Sequence, residues 1–231
     1  MKELLVSGFE PFGGERVNPS ALVAAELSGL EVAPGYRVRS VTVPVTWAGA
    51  LPALLKALGA GPSGFPAAVV MLGQAGGYAA IGLERVAVNI SSGTDNDGVP
   101  RADEPVVEGG PASYLSGLPL RAIVARLGEL GLPAFVSNSA GTYLCNFLFY
   151  GALHHLAGLR ESWRGASGSE GRGAGSSSAP APLAGFIHIP YLPEQAVGKN
   201  PIPPSMSRGD IVRAVRIALE VTAASLDIQR P

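Results

Sequence analysis

Short apolar runs bounded by turn residues alternate along this chain with stretches of helical periodicity, and that alternation leaves few folds open. The runs lie at Leu4 to Val6, Val38 to Val43, Ala67 to Leu72, Val86 to Val88, Ala134 to Val136 and Gly185 to Ile189, and they read as buried strands. Helical patterns run from Ala21 to Leu27 after Asn18-Pro19-Ser20, then Ala48 to Leu58, Leu120 to Leu130, Thr142 to Leu156 and Ile211 to Leu226. The last is the clearest, because Ser207 with Asp210 fits a capping box and Ile211, Val215 and Leu219 recur every fourth residue. Strand-helix alternation predicts an α/β three-layer sandwich, a twisted, mostly parallel sheet with helices on both faces. Ligands gather at the carboxyl ends of the strands in such folds. The loops after the first, third and fifth runs carry Phe9-Glu10-Pro11-Phe12-Gly13-Gly14, Gln74-Ala75-Gly76-Gly77 and Ala140-Gly141-Thr142.

With 231 residues, 47% of them hydrophobic, the chain has material for one substantial core, and a single domain over 1–231 is expected. From Arg160 to Pro182 the composition turns to Gly, Ser, Ala and Pro, with Trp163 the one large apolar side chain. Such a segment supplies no core and reads as a flexible surface insertion tolerant of deletion. A linker is the weaker reading, since one strand and one long helix after it are too little for a second core. The 17 basic and 18 acidic residues leave no basic stripe for a nucleic acid. No apolar run approaches the ~20 residues that span a bilayer, so no membrane partner is expected. The opening Met1 to Gly8 is too short for a signal-peptide core and a lone cysteine forms no internal disulfide, which together point to the cytoplasm.

That cysteine, Cys145, stands where a short strand turns through Gly141 into a helix. A place in the first helical turn favours a thiolate, because unpaired backbone N–H groups and the helix dipole stabilise negative charge. Lone cysteines also occur as small buried hydrophobes, so the surroundings must decide. Of the three histidines, His154 and His155 share the cysteine's helix, and nine residues at ~1.5 Å each put His154 out of reach. His188, closing an apolar strand beside Pro190, is left as the candidate base. Glu84, near the start of the Val86 to Val88 strand, is the candidate orienter, although an ion pair with a basic neighbour such as Arg85 is an ordinary alternative for it. Cysteine, histidine and carboxylate are the parts of a thiol hydrolase. Backbone N–H groups at the start of the Cys145 helix could serve an oxyanion. No His or Cys cluster has metal-ligand spacing, so neither metal nor cofactor is expected.

Five segments in order resemble the pyroglutamyl peptidase I family: Phe9 to Gly14 with Asn18-Pro19, Leu83 to Asn89, Ser137 to Asn146, Gly185 to Gln195, and Pro203 to Ser207. The resemblance covers essentially the whole chain outside Arg160 to Pro182. It implies a cytoplasmic cysteine exopeptidase that removes N-terminal pyroglutamate from peptides, on a fold similar to nucleoside phosphorylases, with Cys145, His188 and Glu84 as its triad. It further implies that Phe9, Phe12 and Tyr143 wall the flat lactam, that Asn18 and Gln74 lie near its amide, and that the protein self-associates as a tetramer. Without the resemblance, the two phenylalanines read as loop anchors and Asn18 as a helix cap.

Three departures stand out. Tyr78 replaces an arginine common after the glycine-rich turn. Ser91 to Asn96 is shorter than its counterpart and lacks an arginine. The insertion lengthens the path from Cys145 to His188. Two other readings therefore stay open. One is a catalytically silent pyroglutamyl-binding homologue. The other is a phosphorylase-like enzyme in which Phe12-Gly13-Gly14 cradles an anion through backbone N–H groups, with Arg16 the only basic residue at hand.

Overall fold

The computed structural model describes residues 1–59, 61, 64–166 and 181–228. Its centre is a seven-stranded sheet in which β1 (Lys2–Phe9) pairs in parallel with β3 (Tyr36–Val43) and β4 (Ala68–Gln74). Strand β11 (Leu183–Ile189) runs parallel to β4 and antiparallel to β5 (Ile81–Glu84), and β10 (Ala134–Ser137) closes one edge in parallel with β5. The short β2 (Glu31–Ala33) closes the other edge, antiparallel to β3. Every residue of β4 is buried, as a central strand covered on both faces requires.

Helices cover both faces, giving the expected three layers. On one face α1 (Pro19–Leu27), α3 (Leu120–Glu129) and α6 (Arg208–Ile228) enclose a core that includes Leu4, Val6, Leu72, Leu83, Ile187 and Leu219. On the other, α2 (Ala50–Gly59) and α4 (Leu144–Ala166) pack over Leu5, Val69, Met71 and Phe186. Alternate residues of β1 and β4 thus feed opposite cores, which is the period of a strand expressed in packing. The α6 start is capped as the sequence suggests: Ser207 Oγ donates to Asp210 Oδ2 and accepts from the Asp210 N–H.

Two sequence expectations need correction. Val86–Val88 is not a strand of the central sheet. It forms β6, paired with β9 (Ser113–Leu115) in a separate ribbon, while the buried central strand is the preceding Ile81–Glu84. Glu84 therefore closes a core strand instead of opening one, and because β5 runs antiparallel to β11 it stands opposite Phe186, two positions from His188 on the same face of the sheet. The Arg160 to Pro182 segment also begins later than its composition suggests, because α4 continues through Ala166. The part of that expectation falling on residues 167–180 lies outside the described residues. A second ribbon, β7 (Ser91–Thr94) with β8 (Pro100–Glu104), and the one-turn helix α5 (Pro193–Ala196) complete the chain.

Candidate active site

Close approach of β5 to the C-terminal ends of the parallel strands β4 and β11 brings the chemistry together. The parallel register sets His188 opposite Gly73, and the antiparallel one sets it opposite Gly82. With no side chain at either glycine, room is left for larger groups. A Cβ at Gly73 would lie 2.8 Å from Cys145 Sγ and 2.6 Å from the Phe186 ring. Cys145 is the second residue of α4, in the turn whose N–H groups lack intrahelical acceptors, and it is partly accessible.

His188 is only 6% exposed and joins the other two groups. Its Nδ1 is 2.8 Å from Glu84 Oε1, and the Cys145 sulfur lies close enough to act on the ring. Glu84 is fully buried, and its Oε2 has no hydrogen-bond partner among the described residues. Among the described residues the only ion-pair contact of Glu84 is with His188, and Arg85 instead lines a separate, open depression with Leu118 and Arg121. Burial pushes the His188 imidazole down, but the Cys145 sulfur, by charge and hydrogen bond, and then Glu84 outweigh it and hold the group up at about 9. The two groups beside the ring thus favour its protonated form.

Beside the sulfur is a narrow pocket lined by Phe9, Phe12, Asn18, Val45, Gln74, Tyr143, Leu144 and Cys145. All five side chains expected around a lactam are in this one place. Phe12 and Tyr143 stand with ring centroids 6.4 Å apart, and Trp47 braces Tyr143 edge-on at 5.4 Å. Asn18 is also the N-cap of α1, its Oδ1 accepting from the Ser20 N–H at 3.1 Å, so cap and pocket residue are one. Tyr143 gives its hydroxyl to the Thr94 carbonyl at 2.8 Å and presents its ring to the pocket. His154 is bonded to the Tyr114 hydroxyl at 2.8 Å, away from the sulfur.

Sequence reasoning passed over several contributors. Val45 and Leu144 are unremarkable apolar residues whose place in the wall only the fold reveals. Arg101, on β8, lies over Trp47 and Phe147 at 5.2 and 5.1 Å and donates to Ser91 Oγ, which ties the β7–β8 hairpin to the aromatic cluster. Tyr78 stands edge-on to His188 with centroids 5.9 Å apart, so the replacement for the common arginine packs against the imidazole. Among the described residues no group of His, Cys, Asp and Glu is arranged to hold a metal ion.

A model of the pyroglutamyl peptidase family matches residues 2–166 and 174–225. The chain belongs to the pyroglutamyl peptidase family. The pyrrolidone-carboxylate peptidase of Chromobacterium violaceum is 44% identical over 224 residues, covering 96% of this chain and 93% of that protein. The Yersinia pestis protein of the same name is 40% identical over 223 residues, again covering 96% and 93%. Among solved structures, pyroglutamyl peptidase I of Bacillus amyloliquefaciens superposes with a TM-score of 0.82 at 36% identity, over 97% of this chain and 98% of its own. A mutant pyrrolidone carboxyl peptidase from Pyrococcus furiosus gives 0.83 at 38% identity, over 97% and 99%. The family membership implied by the five motifs, and the α/β three-layer fold, are both met. The family match leaves out 167–173, within the expected insertion.

Proposed function

We propose that this chain is a cysteine exopeptidase that hydrolyses the amide bond after an N-terminal pyroglutamyl residue, with Cys145 as nucleophile, His188 as acid and base, and Glu84 as the group that orients it. The observation that carries the reading is His188 held between the Cys145 thiol and the Glu84 carboxylate at the mouth of an apolar pocket. The Cys145 thiolate attacks the pyroglutamyl carbonyl carbon, and the resulting oxyanion faces backbone N–H groups at the start of α4. As the C–N bond breaks, the His188 imidazolium gives its proton to the departing amine, leaving a thioester. His188 then takes a proton from water, and the hydroxide formed releases pyroglutamate and restores the thiolate. The lactam ring is flat and uncharged, which suits walls of Phe9, Phe12, Val45 and Tyr143 with amide groups from Asn18 and Gln74.

Assembly as a tetramer and a cytoplasmic location belong to the same reading. They are supported by the resemblance, by the exposed Val197 and Ile202, and by the absence, among the described residues, of a helix long and apolar enough to cross a membrane. The deciding experiment follows release of a fluorogenic amine from a pyroglutamyl amide and from the prolyl amide that lacks the lactam carbonyl. Turnover is expected only of the pyroglutamyl amide and only with Cys145 present, Cys145→Ala being inactive. A folded, reduced protein that releases no amine sinks the peptidase reading, and a binding titration then tests whether the pocket acts without chemistry.

A further inference from the structure

We infer that Gln195 is a positioning residue that fixes which end of the Gln74 amide faces the pocket, making the polar side of the pocket donor-only and selective for the lactam carbonyl. This rests on the peptidase reading and adds a residue and a direction to it.

Gln195 is the third residue of α5 and only 5% exposed. Its Oε1 accepts from the Leu192 backbone N–H at 3.0 Å. A backbone N–H can only donate, so that contact identifies the oxygen, and the other end must be Nε2. The Nε2 group faces acceptors throughout: Gln74 Oε1 at 2.9 Å, and Glu15 Oε2 and the Val17 carbonyl, each at 3.4 Å. Turning the Gln74 amide round would set its NH2 against the NH2 of Gln195, two donors in a buried contact. Gln74 is therefore held with its oxygen satisfied, and its Nε2, which has no partner among the described residues, is the atom left for the pocket that Gln74 lines.

Asn18 obeys the same rule by a separate route. Its Oδ1 is taken by the Ser20 N–H and hydroxyl at 3.1 and 2.8 Å, and one Nδ2 hydrogen goes to the Glu10 carbonyl at 2.9 Å. Only an N–H remains to offer. Two amide side chains thus present donors and no acceptor. A lactam carbonyl matches them, whereas a prolyl ring brings a protonated amine against them, and a plain carbocycle leaves them unpaired.

The test compares kcat and KM for the aminocoumarin amides of pyroglutamate and of cyclopentanecarboxylate, which keeps the ring but has neither lactam carbonyl nor N–H. Gln195→Met removes the anchor at similar volume. Gln195→Glu, assayed at alkaline pH, offers only acceptors and turns Gln74 round. For Gln195→Met the KM for the pyroglutamyl amide should rise about tenfold, the loss of one neutral hydrogen bond, with kcat within about twofold. The preference for pyroglutamyl over cyclopentanecarbonyl should fall by the same factor, and further in Gln195→Glu. A folded Gln195→Met that keeps the wild-type preference, or loses activity on both amides equally, overturns the inference; the Met variant decides alone if the Glu variant does not fold. Wild type inactive on the pyroglutamyl amide would overturn the peptidase reading itself, whereas an active wild type with an unchanged preference in the variant removes only the role of Gln195.

Discussion

In the proposed mechanism the imidazole of His188 decides what the pocket can do at a given pH, because its proton is what the leaving amine must receive. Burial opposes the charged ring, and Cys145 together with Glu84 reverses that opposition, so the ring stays protonated up to about pH 9. The sign follows: below that value the imidazolium is present, and above it the acid is lost, so kcat/KM should fall on the alkaline side with an apparent pKa near 9. Replacing Glu84 by Gln keeps the volume and removes one of the groups that raise His188. The alkaline limb should therefore move to lower pH, and kcat/KM should drop roughly 100-fold, the scale of a mispositioned acid-base group. A pH-rate profile of Glu84→Gln superimposing on wild type would contradict this. The proposed nucleophile and base are legible in the sequence, since a lone cysteine at a helix start and only one histidine free of its helix leave little choice, whereas Glu84 beside Arg85 could equally read as half of an ion pair. Gln195 is not legible in that way: its partner Gln74 is 121 positions away, and neither amide's direction exists before the fold closes.

Where whole elements meet, the same substitution can have opposite effects. Strand β4 reaches the site through Gly73, whose missing side chain leaves space for Phe186 and the Cys145 sulfur. Gly73→Ala must displace both, and overpacking of this kind costs about 1–3 kcal/mol. A lowered melting temperature together with a lowered kcat is the expected result, because the atom displaced is the proposed nucleophile. Gly158 lies exposed within α4 with nothing within 4 Å of an added Cβ, so Gly158→Ala should stabilise by up to ~1 kcal/mol and leave kcat alone. Thermal melts and kinetics on the two variants check the contrast, and a neutral Gly73→Ala would show that the strand end has slack. The central strands with continuous apolar runs, β1, β4 and β11, could be read from sequence because burial on both faces leaves that pattern, and β3 could be read from its alternating Tyr36, Val38 and Val41-Thr42-Val43. Strand β5 could not, since Ile81-Gly82-Leu83-Glu84 spends two of its four positions on a glycine and a catalytic candidate. The β7–β8 hairpin gives no apolar signal either. Its tip is held by Asp95, which accepts from the N–H groups of Trp47, Asp97 and Val99, and by Asn96, which donates to the Pro11 carbonyl.

At the scale of the molecule, two cores on opposite faces of one sheet carry the site at the ends of its central strands. The Arg160 guanidinium donates to the Pro182 carbonyl at 3.1 Å, so the chain is pinned on leaving the last turns of α4 and again on entering β11. Whatever joins those points has its ends fixed by the fold. The family match stops at residue 166 and resumes at 174, which makes 167–173 the stretch to delete. With 167–173 deleted, the roughly nine residues left between Ala166 and Leu183 still span up to about 30 Å. About 20 Å is needed, given ~1.5 Å of rise per residue from Arg160 to Ala166 and the reach of an arginine. Shortening the connection lowers its closure entropy cost by about 0.5 kcal/mol, a shift in melting temperature of no more than a degree or two. The deletion variant should therefore melt with wild type and turn over the pyroglutamyl amide at the wild-type rate. A loss of several degrees, or a change in KM, would mean that this stretch contacts the folded domain or the pocket and is part of the working molecule.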